Sequence, residues 1–241
     1  GLLESADVLN TVEALRAFGV NIIKKGTLYW KVDGVGTGGF REPNQVIDFG
    51  NSGTSARLIL GATATTPITA TVSGDASLVK RPMDRVIRPL SLFGANFLSR
   101  RNGLLPLTIE GTDNPVPIEY KSPVASAQVK SAILLAGLNS PGRTIFWEPS
   151  LSRDHTEKML IDFGGSVKTE NIEGNSVTTL IGECELIGRK VFIPRDPSSA
   201  AFLIAAALLV TNSDVTIPNV SQNPTRNGFL KTLIEMGADI S

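Results

Sequence analysis

The chain repeats itself about every 73 residues, which limits it to folds built from a duplicated supersecondary unit. A stretch of small residues following a turn runs over 50–61 (GNSGTSARLILG), returns at 125–137 (ASAQVKSAILLAG), and returns again at 196–207 (DPSSAAFLIAAA). With Gly53, Ser126 and Ser198 as markers, the steps are 73 and 72 residues. A second mark, an aromatic residue or Met before Gly, falls at Phe18-Gly19, Phe93-Gly94, Phe163-Gly164 and Met236-Gly237, with steps of 75, 70 and 73. Each unit reads in the same order. An extended run (46–49, 116–120, 191–193) leads into a Ser- or Thr-capped helix of small residues, which suits close packing inside a domain. A β-branched strand follows (68–72, 144–147, 215–217), and after it a second, amphipathic helix, whose period is set by Val8, Val12, Leu15 and Phe18, then by Met83, Val86, Ile87 and Leu90. The glycine closes that helix as a left-handed cap, and a hairpin ends the unit, turning at 101–103 and near 174–175. The expected fold is α/β (α+β): β-α-β-α-β-β units gathered about a pseudo-threefold axis. The chain opens directly before the second helix of a unit and stops after the glycine cap of another, so a piece of a longer chain is expected.

Charge excludes some partners. Lys and Arg total 23 and Asp and Glu total 23, so nothing global favours nucleic acid or an anionic membrane, although a balanced total leaves room for a local basic pocket. The longest apolar run, 200–210, is too short for a bilayer span of about 20 residues and reads as a buried helix. Cys184 is the single cysteine; it excludes an internal disulfide and fits a reducing, cytoplasmic compartment. With His155 the single histidine, no metal cluster of the usual soft ligands can form, and no cofactor is expected. Residues 34–39 (GVGTGG) superficially match a dinucleotide loop, but they follow a hairpin and run into Phe40-Arg41-Glu42-Pro43 rather than a helix; a flexible crossover is the better reading.

The helix starts are where ligand chemistry is expected. Asn51 to Thr54, Ser126 to Gln128, and Ser152-Arg153 stand where unsatisfied N–H groups and the positive dipole end favour anions. Lys130 and Arg153 accompany the second and third, and Lys80-Arg81-Pro82 opens the helix between. If the repeats pack around an axis, these starts converge, and the planar fork of arginine suits carboxylate or phosphate. The residues alone lead to a plausible pocket for a small polyanion, with no reaction attached.

At these segments the chain resembles the 5-enolpyruvylshikimate-3-phosphate (EPSP) synthase family over essentially its whole length. The most specific stretches are 48–54 (DFGNSGT), 74–83 (GDASLVKRPM), 126–138 (SAQVKSAILLAGL), 152–160 (SRDHTEKML) and 196–202 (DPSSAAF). The resemblance implies transfer of the carboxyvinyl group of phosphoenolpyruvate to the 5-hydroxyl of shikimate 3-phosphate, with release of phosphate. By position, Ser126, Ser152 and Arg153 would hold shikimate 3-phosphate, with Ala127 contributing its backbone where many relatives have serine. Gln128 would lie against the ring and near phosphoenolpyruvate, which Arg81, Asn51 and the backbone at Gly53 would bind. Tolerant relatives carry Ala at this last position, so a glyphosate-sensitive full-length enzyme is expected.

The same resemblance implies two domains closing over the substrates: a repeat domain over 1–193 and the start of a second over 194–241. The family's N-terminal Lys-Ser segment would precede residue 1 and its acid–base carboxylates would follow residue 241, so this chain alone is expected to catalyse nothing, and the full-length protein to be a monomer. Two alternatives stand beside this reading: a non-catalytic phosphometabolite-binding module, and the sister transferase acting on UDP-N-acetylglucosamine.

Overall fold

The computed structural model describes residues 2–27 and 29–240, and the chain separates into two compact units, 1–189 and 190–241. Gly1 and Ser241, on which the expectation of a chain cut at both ends rests, lie outside the described residues. Unit one begins with half a repeat: helix α1 (Ala6–Ala17) and the antiparallel hairpin β1 (Asn21–Lys25) and β2 (Tyr29–Asp33). The first complete repeat is β3 (Ile47–Asp48), α2 (Gly53–Ala64), β4 (Thr69–Ser73), α3 (Asp84–Leu92), β5 (Asn96–Arg100) and β6 (Leu104–Glu110). The second is β7 (Glu119–Lys121), α4 (Ala127–Gly137), β8 (Arg143–Glu148), α5 (His155–Asp162), β9 (Ser166–Ile172) and β10 (Asn175–Ile181).

The two complete repeats share one topology. Their sheets run β3-β4-β6-β5 and β7-β8-β10-β9. In each, the first pair is parallel and the other two are antiparallel. The expected order β-α-β-α-β-β therefore holds twice over. Local chemistry explains the joints. Gly19, Gly94, Gly164 and Gly237 have φ of 92°, 109°, 91° and 94°, the left-handed cap that lets each amphipathic helix stop and reverse. The second hairpin turns on Glu173 (φ 50°) and Gly174 (φ 80°), one residue earlier than expected.

Small residues bring the two central helices into backbone contact. A Cβ on Gly61 of α2 would stand 2.7 Å from Ala132 Cα and 2.9 Å from Ala132 C on α4, so only glycine permits this approach. Around this contact a continuous core runs through both repeats, from Phe18, Phe49 and Leu60 through Met83, Phe93 and Ile109 to Ile133 and Phe146. Each such buried side chain contributes about 1.5–3 kcal/mol relative to exposure. A second cluster, Leu134, Leu138, Leu160 and Leu180, joins α4 to α5 and β10, with Cys184 packed on its edge. In the glycine-rich crossover Gly38 lies against the side chain of Asn139, whereas Gly34 and Gly36 face open space.

Unit two departs from expectation. Helix α6 (Pro197–Leu209) forms, with Asp196 capping Ser198 N and Ser199 N, and helix α7 (Gly228–Glu235) follows. The strands expected at 191–193 and 215–217 are absent among the described residues; a single bridge pairs Arg195 with Val220. The 200–210 run, expected to be buried, is largely exposed: Phe202 is 80% and Leu209 86% accessible, and only Ala200 is buried. In unit one the hairpin of each repeat supplies the antiparallel partners of its central strand and completes the sheet behind its small-residue helix. Among the described residues of unit two the chain forms no sheet, so α6 has no such layer there against its apolar side chains.

Candidate functional site

The N-terminal ends of α2 and α4 lie side by side, because Gly61 and Ala132 hold these helices together farther along. Ser52 caps α2, its Oγ accepting from Ser55 N at 3.3 Å; Ser126 caps α4, its Oγ accepting from Val129 N at 3.5 Å. The β-to-α turns of the two repeats therefore open to the same place.

A connected polar network crosses this mouth. Gln128 Nε2 donates to Thr54 Oγ1 at 2.7 Å. Arg57 Nη1 donates to Gln128 Oε1 at 3.0 Å and to Gly53 O at 3.0 Å. Arg81 Nη2 donates to Asn51 Oδ1 at 2.7 Å and to Ser77 Oγ at 3.0 Å, while Asn51 Nδ2 donates to Asp75 Oδ2 at 2.7 Å. Gly53 sits between the arginines: a Cβ there would be 2.8 Å from Arg57 Nη1 and 3.4 Å from Arg81 Nη1. Asn51, Gly53, Arg81 and Gln128 are thus gathered in one network, with Ser126 and Ala127 opening the same helix as Gln128.

The electrostatics favour an anion here. Burial, and after it the neighbouring charges of Arg81 and Arg85, push the Arg57 guanidinium below its usual range. Asp75 lies at the edge as a carboxylate held below its ordinary range, chiefly by the Leu78 N–H and then by the Asn51 amide. Its Oδ1 accepts Leu78 N at 2.7 Å and Ser77 N at 2.9 Å, which shapes the turn leading to Arg81. An anion with two or three oxygens matches the half-buried guanidinium forks of Arg57 and Arg81.

The third expected helix start is built differently. α5 begins at His155, so Ser152 and Arg153 belong to the loop before it and cap nothing. The Ser152 N–H is not free for an anion, because it donates to Glu148 Oε1 at 3.1 Å. What remains is the Ser152 hydroxyl, whose Oγ is buried and makes no hydrogen bond among the described residues, and the exposed Arg153 side chain. Lys130 does not serve as an anion ligand: it is fully buried, with Nζ 2.8 Å from Glu148 Oε1 and 2.7 Å from Glu157 Oε1. Its Nζ also reaches Ser152 O at 3.5 Å, which ties the loop to α4 two residues beyond Gln128. Burial pushes the Glu157 carboxyl up, against the pull of Lys130. Among the described residues no group of His, Cys, Asp and Glu is arranged to hold a metal ion.

Sequence reasoning missed Arg57 and Asp75, and placed Thr54 at the helix start without foreseeing its bond to Gln128. The signal was present in the repeat itself: Gln128 lies 71 residues from Arg57 and 74 from Thr54, about one period. Residues one period apart meet because equivalent helices pack together.

The family profile described as EPSP synthase (3-phosphoshikimate 1-carboxyvinyltransferase) matches residues 1–241. The 3-phosphoshikimate 1-carboxyvinyltransferases of Paracoccus denitrificans and Cereibacter sphaeroides are 58% and 55% identical to the chain, which is covered completely while 54% of each relative is covered. An EPSP synthase structure from Acinetobacter baumannii superposes with a TM-score of 0.90 at 43% identity, over 100% of this chain and 53% of that one. The chain thus spans about half the length of the relatives it matches. Whole-chain agreement in profile, sequence and fold means that the chain belongs to the EPSP synthase family.

Proposed function

We propose that the full-length protein transfers the carboxyvinyl group of phosphoenolpyruvate to the 5-hydroxyl of shikimate 3-phosphate, and that this chain supplies one wall of the site. In that reaction a bond forms between the 5-oxygen and the vinyl carbon, the bond from that carbon to the phosphate oxygen breaks, and the hydroxyl proton leaves with inorganic phosphate or solvent. The observation that carries the reading is the network joining Asn51, Arg81, Gly53, Arg57 and Gln128 across two helix mouths. Both substrates are small and multiply anionic, and both would meet preorganised N–H groups and guanidinium forks.

In this reading Arg81 and Arg57 bind phosphoenolpyruvate beside the Gly53 backbone, with Asn51 setting the Arg81 fork. Gln128, held by Thr54 and Arg57, lies between the two substrates. Ser126, the Ala127 backbone, Ser152 and Arg153 hold the phosphate of shikimate 3-phosphate. These groups bind and orient; general acid–base groups must reach the proton they move, and this reading assigns them to the rest of the full-length protein. It also takes that protein to be a cytoplasmic monomer needing no cofactor.

The test is phosphate release by the full-length protein with both substrates, wild type against Arg81→Ala. Wild-type turnover, with KM for phosphoenolpyruvate raised about a hundredfold in the variant, is the expected result for loss of a charged binding group. Wild-type protein inert toward this pair would refute the reading, and an unchanged KM would remove Arg81 from it.

A further inference from the structure

Comparison of the two repeats assigns a role to the buried charges that the site itself does not use. Lys130 is the repeat counterpart of Arg57, 73 residues later, and Glu148 is the counterpart of Asp75 at the same spacing. Asp75 follows β4 and accepts the Ser77 and Leu78 N–H groups of the turn that delivers Arg81. Glu148 ends β8 and accepts the Ser152 N–H of the loop that delivers Arg153. In both repeats a carboxylate at the end of the central strand, or just past it, anchors through backbone N–H the segment that presents an arginine.

The second repeat adds a buried clamp. Lys130 on α4, Glu148 on β8 and Glu157 on α5 join three elements through one ammonium. Both backbone groups of Ser152 end on this cluster: its N–H on Glu148 and its C=O on Lys130. With the backbone so occupied, the hydroxyl is left without a partner among the described residues. A one-cation, two-carboxylate cluster is a poor means of stabilising a core, since apolar residues of similar size generally do as well or better. Its retention of both Ser152 backbone groups is what an apolar core could not supply.

We infer that Lys130, Glu148 and Glu157 are positioning residues, whose task is to fix the Ser152–Arg153 loop so that its hydroxyl and guanidinium face a phosphate. The inference rests on the functional reading above only in naming shikimate 3-phosphate as the carrier of that phosphate. Two triple variants of the full-length protein separate positioning from stability. The first, Lys130→Met/Glu148→Gln/Glu157→Leu, removes the buried charges but keeps an uncharged acceptor for the Ser152 N–H. The second, Lys130→Met/Glu148→Leu/Glu157→Leu, removes that acceptor as well.

The second variant is expected to raise KM for shikimate 3-phosphate roughly tenfold or more, as small displacements of binding groups do, while KM for phosphoenolpyruvate stays within about twofold. The first, with its amide acceptor kept, should recover most of the difference. In parallel, amide exchange at Ser152, read by NMR, should be slow in the wild type and the first variant and fast in the second. Equal shikimate 3-phosphate KM values for the two variants, or equal exchange at Ser152, would overturn the inference. Should the wild type fail to turn over this substrate pair, the functional reading falls alone, because exchange at Ser152 still decides whether the cluster holds the loop.

Discussion

Replacing Gly61 with alanine tests the claim that helix contact builds the site. The added Cβ would meet Ala132 Cα at 2.7 Å and Ala132 C at 2.9 Å, against ordinary carbon contacts of about 3.5–4.0 Å. The obstacle is backbone inside α4, so no side chain can swing away, and the helices must part by about 1 Å. Overpacking of this kind costs about 3 kcal/mol at its upper range. Alanine returns about 1 kcal/mol through helix propensity. The net loss is then about 2 kcal/mol, or a fall in Tm of about 4–8 °C for a unit of this size. Thermal unfolding of the chain, followed by circular dichroism, measures it. Gly188→Ala is the control, because a Cβ there meets nothing within 4 Å, and its Tm should not move measurably. A Gly61→Ala protein melting at or above the wild-type temperature would show that α2 and α4 are not held at backbone distance.

Other outcomes follow from the same geometry. Gly53→Ala places its Cβ 2.8 Å from Arg57 Nη1, the far end of a flexible side chain, so the fold should lose less than about 1 kcal/mol. In the full-length protein the displaced guanidinium should raise KM for phosphoenolpyruvate and weaken inhibition by glyphosate, which steady-state kinetics would show. Burial raises the Glu157 carboxyl above its usual value, so over the pH interval above the ordinary Glu range the folded chain binds more protons than the unfolded one. Stability from this group therefore falls as pH rises through that interval, and urea midpoints of wild type should fall relative to Glu157→Gln there. The purified 241-residue chain should release no phosphate from the two substrates in a coupled assay.

What could be read without coordinates was whatever depends on neighbours in sequence or on the period. The Phe-Gly and Met-Gly marks predicted four left-handed helix caps because a positive φ after a helix selects glycine locally. The order of strands and helices followed from apolar periodicity. Lys130 was misjudged because charge says nothing about burial; its carboxylates lie 18 and 27 residues away on other elements. Ser152 and Arg153 were given helix-start roles because the Ser-Arg-Asp-His sequence resembles a cap, whereas α5 waits for His155. The 200–210 helix was judged buried on composition alone, which reports what a segment needs covered and not what stands beside it.

Duplication itself explains why the candidate site takes this form. Two copies of a β-α turn, packed through α2 and α4, bring two capped helix starts to one mouth, and hydrogen bonds one period apart recur along the pair. Gln128 meets Arg57 and Thr54 at the mouth, and Thr65 donates to Ala136 O at 3.1 Å, 71 residues on, at the far end. Symmetric packing alone would yield two equivalent cations facing one ligand. The two repeats differ at this position: Arg57 is partly exposed between Gly53 and Gln128, while Lys130 is buried against Glu148 and Glu157. One cation stays at the mouth and the other contacts the Ser152 loop. The duplicated unit thus presents different groups at its two β-α turns, which identical halves could not do.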